Sequence, residues 1–237
     1  MTTEPNAATP PPVPLPPKAV QWRELAVFLA LIVPSMLFGI VAGVPATGFA
    51  ALVVATVFRD LSLLALVHYF LWRNGESPAR IGWRPGRFGA ELGWGLLLFA
   101  PLFIGSAVLR NLLQTLGMPT APLPTFFLPA EQGPGAIVLT LILVAVVAVA
   151  EEAIFRGYLM LRIEGLTGSP TAAVLISSAL FALGHGYQGA AGMVAVGALG
   201  IGYALVYRWR RCLVAPVAMH LLQDAFALAL LWAGAGR

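Results

Sequence analysis

The sequence predicts an all-α polytopic transmembrane bundle of about seven helices, with room for an eighth membrane element. Three observations lead there. Of 237 residues, 59% are hydrophobic and only 10% charged, with a mean hydropathy of +0.86, whereas a soluble domain carries about 25% charged residues. Apolar runs near or above the ~20 residues that cross a hydrocarbon core recur along the chain. Basic residues collect at alternate segment ends. So few charges cannot cover a water-facing surface, so the lipid bilayer is the expected solvent.

Residues 1–20 hold seven prolines and almost no charge, which reads as a disordered, polyproline-like cytoplasmic tail. No basic n-region precedes a short apolar core, so a cleaved signal peptide is not expected. Residues 21–237 then form one membrane-embedded domain. Its apolar segments run over 23–44, 48–72, 89–116, 135–162, 170–187, 189–208 and 213–234. A re-entrant piece within the proline-rich stretch 119–134 would make the eighth element. The division between the fifth and sixth segments, at Gly186–Gly189, is the tightest.

Segment ends of one side carry Lys18, Arg23, Arg73, Arg80, Arg84, Arg87, Arg156, Arg162, Arg208, Arg210 and Arg211, and the other side only Arg110 and Arg237. The positive-inside rule then puts the N-terminus in the cytoplasm, and seven spans put the C-terminus outside. Trp22, Trp72, Trp83 and Trp209 fall at expected interfaces. The basic residues are scattered, so no nucleic-acid-binding patch is expected. The single cysteine, Cys212, has no partner for a disulfide or a thiolate metal site and reads as a buried small residue. In the sixth segment, Gly189, Gly192, Gly197, Ala198, Gly200 and Gly202 predict close helix packing.

Ionisable groups inside a membrane are costly and so are functional candidates by default. Glu151-Glu152 and Arg156 lie between two apolar runs. Glu152 and Arg156, four apart, share a helix face and can pair. Glu151 points about 100° away and needs another partner. Two carboxylates beside one arginine leave an excess negative charge in low dielectric, the setting of a general base. Phe181 and His185 lie one turn apart at the end of an apolar run, with Gly184 and Gly186 open to close approach by another backbone or a substrate. His220 and Asp224, again at i and i+4, sit in the last apolar segment, where the pair has no obvious structural purpose. Arg59-Asp60 reads as structural, because neighbours on a helix do not face each other. His68 reads as a packing or interfacial histidine.

A hairpin around residues 164–168 would bring Glu151 and His185 to within ~6 Å in height. His220, ~10 Å from the start of its helix, meets that level if the hairpin projects past the membrane.

The three clusters, in order, resemble the Rce1-like family of CAAX proteases and bacteriocin-processing enzymes. That family's pattern is Glu-Glu-x-x-x-Arg, then Phe-x-x-x-His, then His-x-x-x-Asn/Asp. The resemblance covers roughly 135–230, which it marks as the catalytic core. It implies an intramembrane endopeptidase with Glu151 as general base, assisted by His185. His220 and Asp224 would stabilise the oxyanion, Arg156 and Glu152 would hold the geometry, and Phe181 would line the substrate path. It admits both a metalloprotease and a metal-independent glutamic endopeptidase. No cofactor is fixed. A zinc ion, if bound, would draw on Glu151, His185 and His220, but a HExxH signature is lacking. A glutamate-activated water is the preferred reading.

The implied partners are the bilayer and a peptide or membrane-protein substrate, with lipidated chains such as CAAX proteins included. The Ala-, Gly-, Pro- and Arg-rich composition points to a bacterial inner (plasma) membrane, where relatives are linked to bacteriocin maturation or self-immunity. Two competing readings are a non-catalytic immunity or scaffold protein that binds a partner through its buried polar cluster, and a proton-coupled transporter. Against the transporter stands the lack of internal repeats.

Overall fold

The computed structural model describes residues 14–42, 48–84, 87–119, 121 and 133–235. All regular structure in these residues is helical. Seven long helices form: α1 (Lys18–Ala42), α2 (Phe49–Arg73), α3 (Phe88–Thr115), α4 (Pro134–Thr167), α5 (Pro170–Gly184), α6 (Gly189–Arg210) and α7 (Val214–Ala235). Each expected apolar segment became one of them. Six are long and apolar enough to cross a membrane; α5, with 15 residues, is not. The fifth segment is therefore not a full span by itself, because the helix stops at Gly184 instead of continuing to 187. Most of the proline-rich tail and nearly all of the stretch 119–134 lie outside the described residues.

The outer faces of α1, α2 and α3 are built for lipid: Phe38, Phe58, Leu97 and Val108 are each more than half exposed. Lipid tails are as apolar as leucine, so helix association depends on close packing and polar contacts. Gly95 of α3 supplies such packing: a Cβ there would stand 2.7 Å from Ala218 Cβ and 2.8 Å from the Ala215 carbonyl, so α3 runs tightly along α7. On α6, a Cβ at Gly197 would press on Ala182 and one at Gly200 on Phe181, as expected of that small-residue segment.

Helix α4 is 34 residues long, ~51 Å, well beyond the ~30 Å hydrocarbon core. It ends at Gly168, whose φ of 70° closes the helix in the left-handed region, where glycine has no Cβ penalty. Ser169 then caps α5 by accepting from the Ala172 amide at 3.1 Å, with Pro170 in the first turn. This tight reversal returns the chain alongside α4. Within α4, Glu152–Leu159 is π-helical and wholly buried. Such widened turns occur mostly at functional sites.

The main core joins α1, α2, α4 and α5 around Phe28, Phe70, Leu71, Phe155, Tyr158 and Phe181. At its edge lies a buried charge network. Arg162, 0% exposed, donates to Glu24 Oε2 at 2.9 Å and to both oxygens of Glu76 at 3.1 and 2.5 Å. Glu24 also accepts from Arg73, Asn74 and Tyr158. Arg156 and Arg162, counted as segment-end charges from sequence, are thus interior residues, drawn inward by buried carboxylates. Arg208 pairs with Glu164, and Arg210 with Glu91, which gathers the ends of α4, α6 and the start of α3 at the basic end of the bundle.

Candidate active site

Glu151 closes the regular α part of α4, and the π-helical stretch begins at the next residue. Glu152 points inward, 0% exposed. Its Oε1 accepts from Arg156 Nη1 at 2.9 Å and from His220 Nδ1 at 2.8 Å. Arg156 is held further by the Gly200 carbonyl at 3.4 Å and by the Phe181 ring, 4.1 Å from its Cζ. These contacts form a dry wall behind the site. Phe181 belongs to that wall: it is 3% exposed, packs edge-on to His220 with centroids 5.8 Å apart, and lies 4.7 Å from the His185 ring. The residue expected to line the substrate path is thus a support behind both histidines, because Arg156 and the two imidazoles occupy its faces.

In front of the wall, a cavity of about 320 Å³ is lined by Glu151, His185 and Asp224, together with Arg59, Tyr187 and Gln188. Its remaining wall is mostly apolar and comes from α1, α2, α4 and α7. His220 connects the two regions. Its Nε2 lies 3.5 Å from Asp224 Oδ2 and 3.8 Å from Glu151 Oε2. A carboxylate receiving the Nδ1 hydrogen bond fixes the ring's tautomer and orientation, so Nε2 is the nitrogen that takes up or releases a proton. His185 is fixed in the same way. Its Nδ1 donates to the Phe181 carbonyl at 2.9 Å, because a carbonyl can only accept, and its Nε2 is left with the lone pair.

Glu151 Oε2 is buried without a hydrogen-bond partner. A bare acceptor in low dielectric calls for a donor, and this one borders the cavity. All six polar residues singled out from sequence, Glu151, Glu152, Arg156, His185, His220 and Asp224, therefore come from three separate helices to one locus. The height match between α4 and α7, which rested on a hairpin projecting past the membrane, is met by the 2.8 Å contact of His220 with Glu152.

A zinc ion, if bound, would draw on Glu151, His185 and His220. Among the described residues, no three His, Cys, Asp or Glu side chains are placed to share a metal ion. The residues present do not fit a zinc centre of Glu151, His185 and His220, and no chemical step below passes through one.

Arg59 is the residue that sequence reasoning misjudged. It does face its neighbour: Nε donates to Asp60 Oδ1 at 2.8 Å, because the long arginine side chain can fold back where a short one cannot. It also lines the cavity. Its position inside an apolar span was the available signal. His68, as expected, serves locally, its Nδ1 bonded to the Leu64 carbonyl. Gly184 borders the cavity, with Met36 of α1 packed beside it, whereas Ile40 of α1 packs against Gly186.

Fold and site together define a polytopic helical membrane protein with a carboxylate–histidine centre buried among its helices. Residues 133–226 match the family model described as Rce1-like, type II CAAX prenyl endopeptidase Rce1-like. The matched stretch takes in every residue of the three clusters, and over these residues the chain is similar to the Rce1-like family. No curated protein and no solved structure matches the chain.

Proposed function

We propose that this protein is an intramembrane endopeptidase that hydrolyses a peptide bond of a membrane-associated or lipidated peptide through a water activated by Glu151. The observation that carries this reading is the buried Glu151 Oε2, without a hydrogen-bond partner, on a cavity shared with His185 and Asp224. In the proposed step, Glu151 takes one proton from a water while His185 Nε2 accepts the other hydrogen and aims the oxygen. The water oxygen attacks the scissile carbonyl carbon. His220, held through Nδ1 by Glu152, donates from a protonated Nε2 to the oxyanion. Asp224 steadies that nitrogen as a carboxylate, or donates itself when protonated. The proton on Glu151 then passes to the leaving nitrogen as the C–N bond breaks, yielding an acid and an amine. Arg156 neutralises Glu152, and Phe181 backs the two rings.

The basic end, with Lys18, Arg73, Arg208 and Arg210, would face the cytoplasm of a bacterial inner membrane together with the N-terminus. Internally quenched peptides, some bearing a farnesylated cysteine, incubated with the detergent-purified protein test the reading. Cleavage by the wild type that is lost in Glu151→Gln and His220→Ala, with folding retained, supports it. Cleavage by Glu151→Gln at the wild-type rate overturns it.

A further inference from the structure

A second cavity, of about 370 Å³, lies between α3, α6 and α7. Arg110 and Gln223 mark its two ends. Helices α3 and α7 run side by side from the basic end of the bundle: Gly95 abuts Ala215 and Ala218, and the rings of Phe103 and Phe226 stand 5.0 Å apart. Arg110 lies seven residues past Phe103, and Gln223 three short of Phe226, so ~15 Å of height separates them. Arg110 is at the far end, five residues from the close of α3 at Thr115. Among the described residues it has no ion-pair or hydrogen-bond partner, and a cation inside a span belongs beside a hydrated cavity. Gln223 is at the deep end, next to Asp224 on α7. Its Oε1 is buried without a hydrogen-bond partner, an acceptor that calls for a donor. A lipid chain in the cavity would strand that oxygen in hydrocarbon. Water satisfies it, and the volume suits roughly ten molecules at ~30 Å³ each. Gln188, Ala227 and Leu231 border both this cavity and the one that holds Glu151. One layer of side chains therefore divides the two, and Ala227 contributes only a methyl group to it.

We propose that this second cavity is an aqueous shaft that supplies the hydrolytic water to Glu151 from the face opposite the basic end. The proposal rests on the endopeptidase reading and deepens it. Hydrolysis consumes one water for each peptide bond cut, and a peptide seated in a cavity of about 320 Å³ displaces the water there. A separate route past Gln188 and Ala227 keeps the nucleophile available while substrate is bound. Arg110 holds water at the mouth, and Gln223 accepts from it at the depth of the reacting groups. Gln188, whose Nε2 donates to the Tyr187 hydroxyl at 3.4 Å, carries the polar lining across to the first cavity.

The test uses the full-length protein in lipid nanodiscs, with the single, buried Cys212 replaced by alanine. Ala195 lines the second cavity and is 5% exposed, whereas its neighbour Val194 is 43% exposed on the outer surface of the span. Only a thiolate reacts, and a thiol ionises in water and not in hydrocarbon. A charged methanethiosulfonate should therefore modify Ala195→Cys at least about tenfold faster than Val194→Cys, the reverse of their exposure. Leu199→Cys, 7% exposed on the same cavity, serves if Ala195→Cys does not fold. The adduct plugs the shaft, so cleavage of a quenched peptide should lose at least about tenfold in kcat, a barrier rise of ~1.4 kcal/mol. KM should stay unchanged, because the peptide has its own cavity, and dithiothreitol should restore the rate. Equal or faster modification of Val194→Cys overturns the proposal. So does modification of Ala195→Cys by an apolar maleimide alone, which marks a lipid-filled cavity. Expected labelling beside cleavage that survives the adduct refutes the supply of water by this route. Expected labelling beside a wild type that cleaves no peptide refutes the endopeptidase reading instead, and leaves the aqueous shaft standing.

Discussion

The sharpest prediction concerns the pair behind the site. Glu152 and Arg156 are 0% and 1% exposed and meet at 2.9 Å, and the same carboxylate oxygen holds His220 at 2.8 Å. Glu152→Met leaves Arg156 buried with no carboxylate, held by a 3.4 Å contact to the Gly200 carbonyl and by the rings of Phe181, Tyr203 and Phe155. Arg156→Met leaves Glu152 buried with His220 alone. Breaking a buried pair from either side costs about 3–5 kcal/mol, whereas replacing both partners by apolar residues is close to neutral. The double substitution still leaves His220 Nδ1 without an acceptor, a penalty of about 1–3 kcal/mol. Two singles summing to ~6–10 kcal/mol against a double of ~1–3 kcal/mol give a coupling of at least ~3 kcal/mol. Unfolding by SDS in mixed micelles, followed by circular dichroism, measures all three. Peptide cleavage should stay low in the double variant despite its recovered stability, because the residue that orients His220 is gone; loss of the equivalent orienting carboxylate in a serine-protease triad lowers kcat by ~10⁴. Additive losses in the double variant, or a Glu152→Met cost under about 1 kcal/mol, would show that the pair is hydrated and would refute the dry-wall description.

Other outcomes follow from the same structure. Arg162→Met should lower stability by about 3–5 kcal/mol in the same unfolding assay, since Arg73 and Arg80 already contact Glu24 and Glu76 from more exposed positions. Gly200→Ala places a Cβ 3.1 Å from Phe181 Cδ1 and 3.3 Å from Arg156 Nη2. It should cost about 1–3 kcal/mol and lower kcat more than it raises KM, because the wall moves and the cavity does not. Gly95→Val meets α7 backbone at 2.8 Å and should destabilise by at least about 1–3 kcal/mol with no selective effect on kcat. Cleavage should be unchanged by a chelator; a loss that zinc restores would contradict the side-chain placement described above.

The helices were legible because length and apolarity alone decide what can span a bilayer; the expected start of α2 and that of α4 each fall one residue from the observed one. The site was legible because each cluster carries charge where charge is costly, and i,i+4 spacing correctly paired Glu152 with Arg156 and brought His220 near Asp224. Which helix faces which was beyond reach. Nothing local in Arg162 names Glu24 and Glu76 as partners, so a buried residue passed for a segment-end charge. The adjacency rule for helices misled at Arg59, since it describes Cβ directions and not the reach of a long side chain. Phe181 was placed on the wrong side of the histidines for a related reason: a shared helix face does not say which part of that face borders open space.

The Arg162 network also bears on the order in which the protein is made. Glu24 and Glu76 precede Arg162 by 138 and 86 residues. At ~5–20 residues per second of synthesis, the ribosome takes ~4–17 s after Glu76 to deliver the arginine. During that interval α1 and the loop after α2 hold two carboxylates whose available cations, Arg73 and Arg80, are partly exposed. Glu91 waits longer still for Arg210, 119 residues downstream. The N-terminal helices thus enter the bilayer as an unfinished half, and the stretch that carries the three polar clusters also carries the charges that complete them.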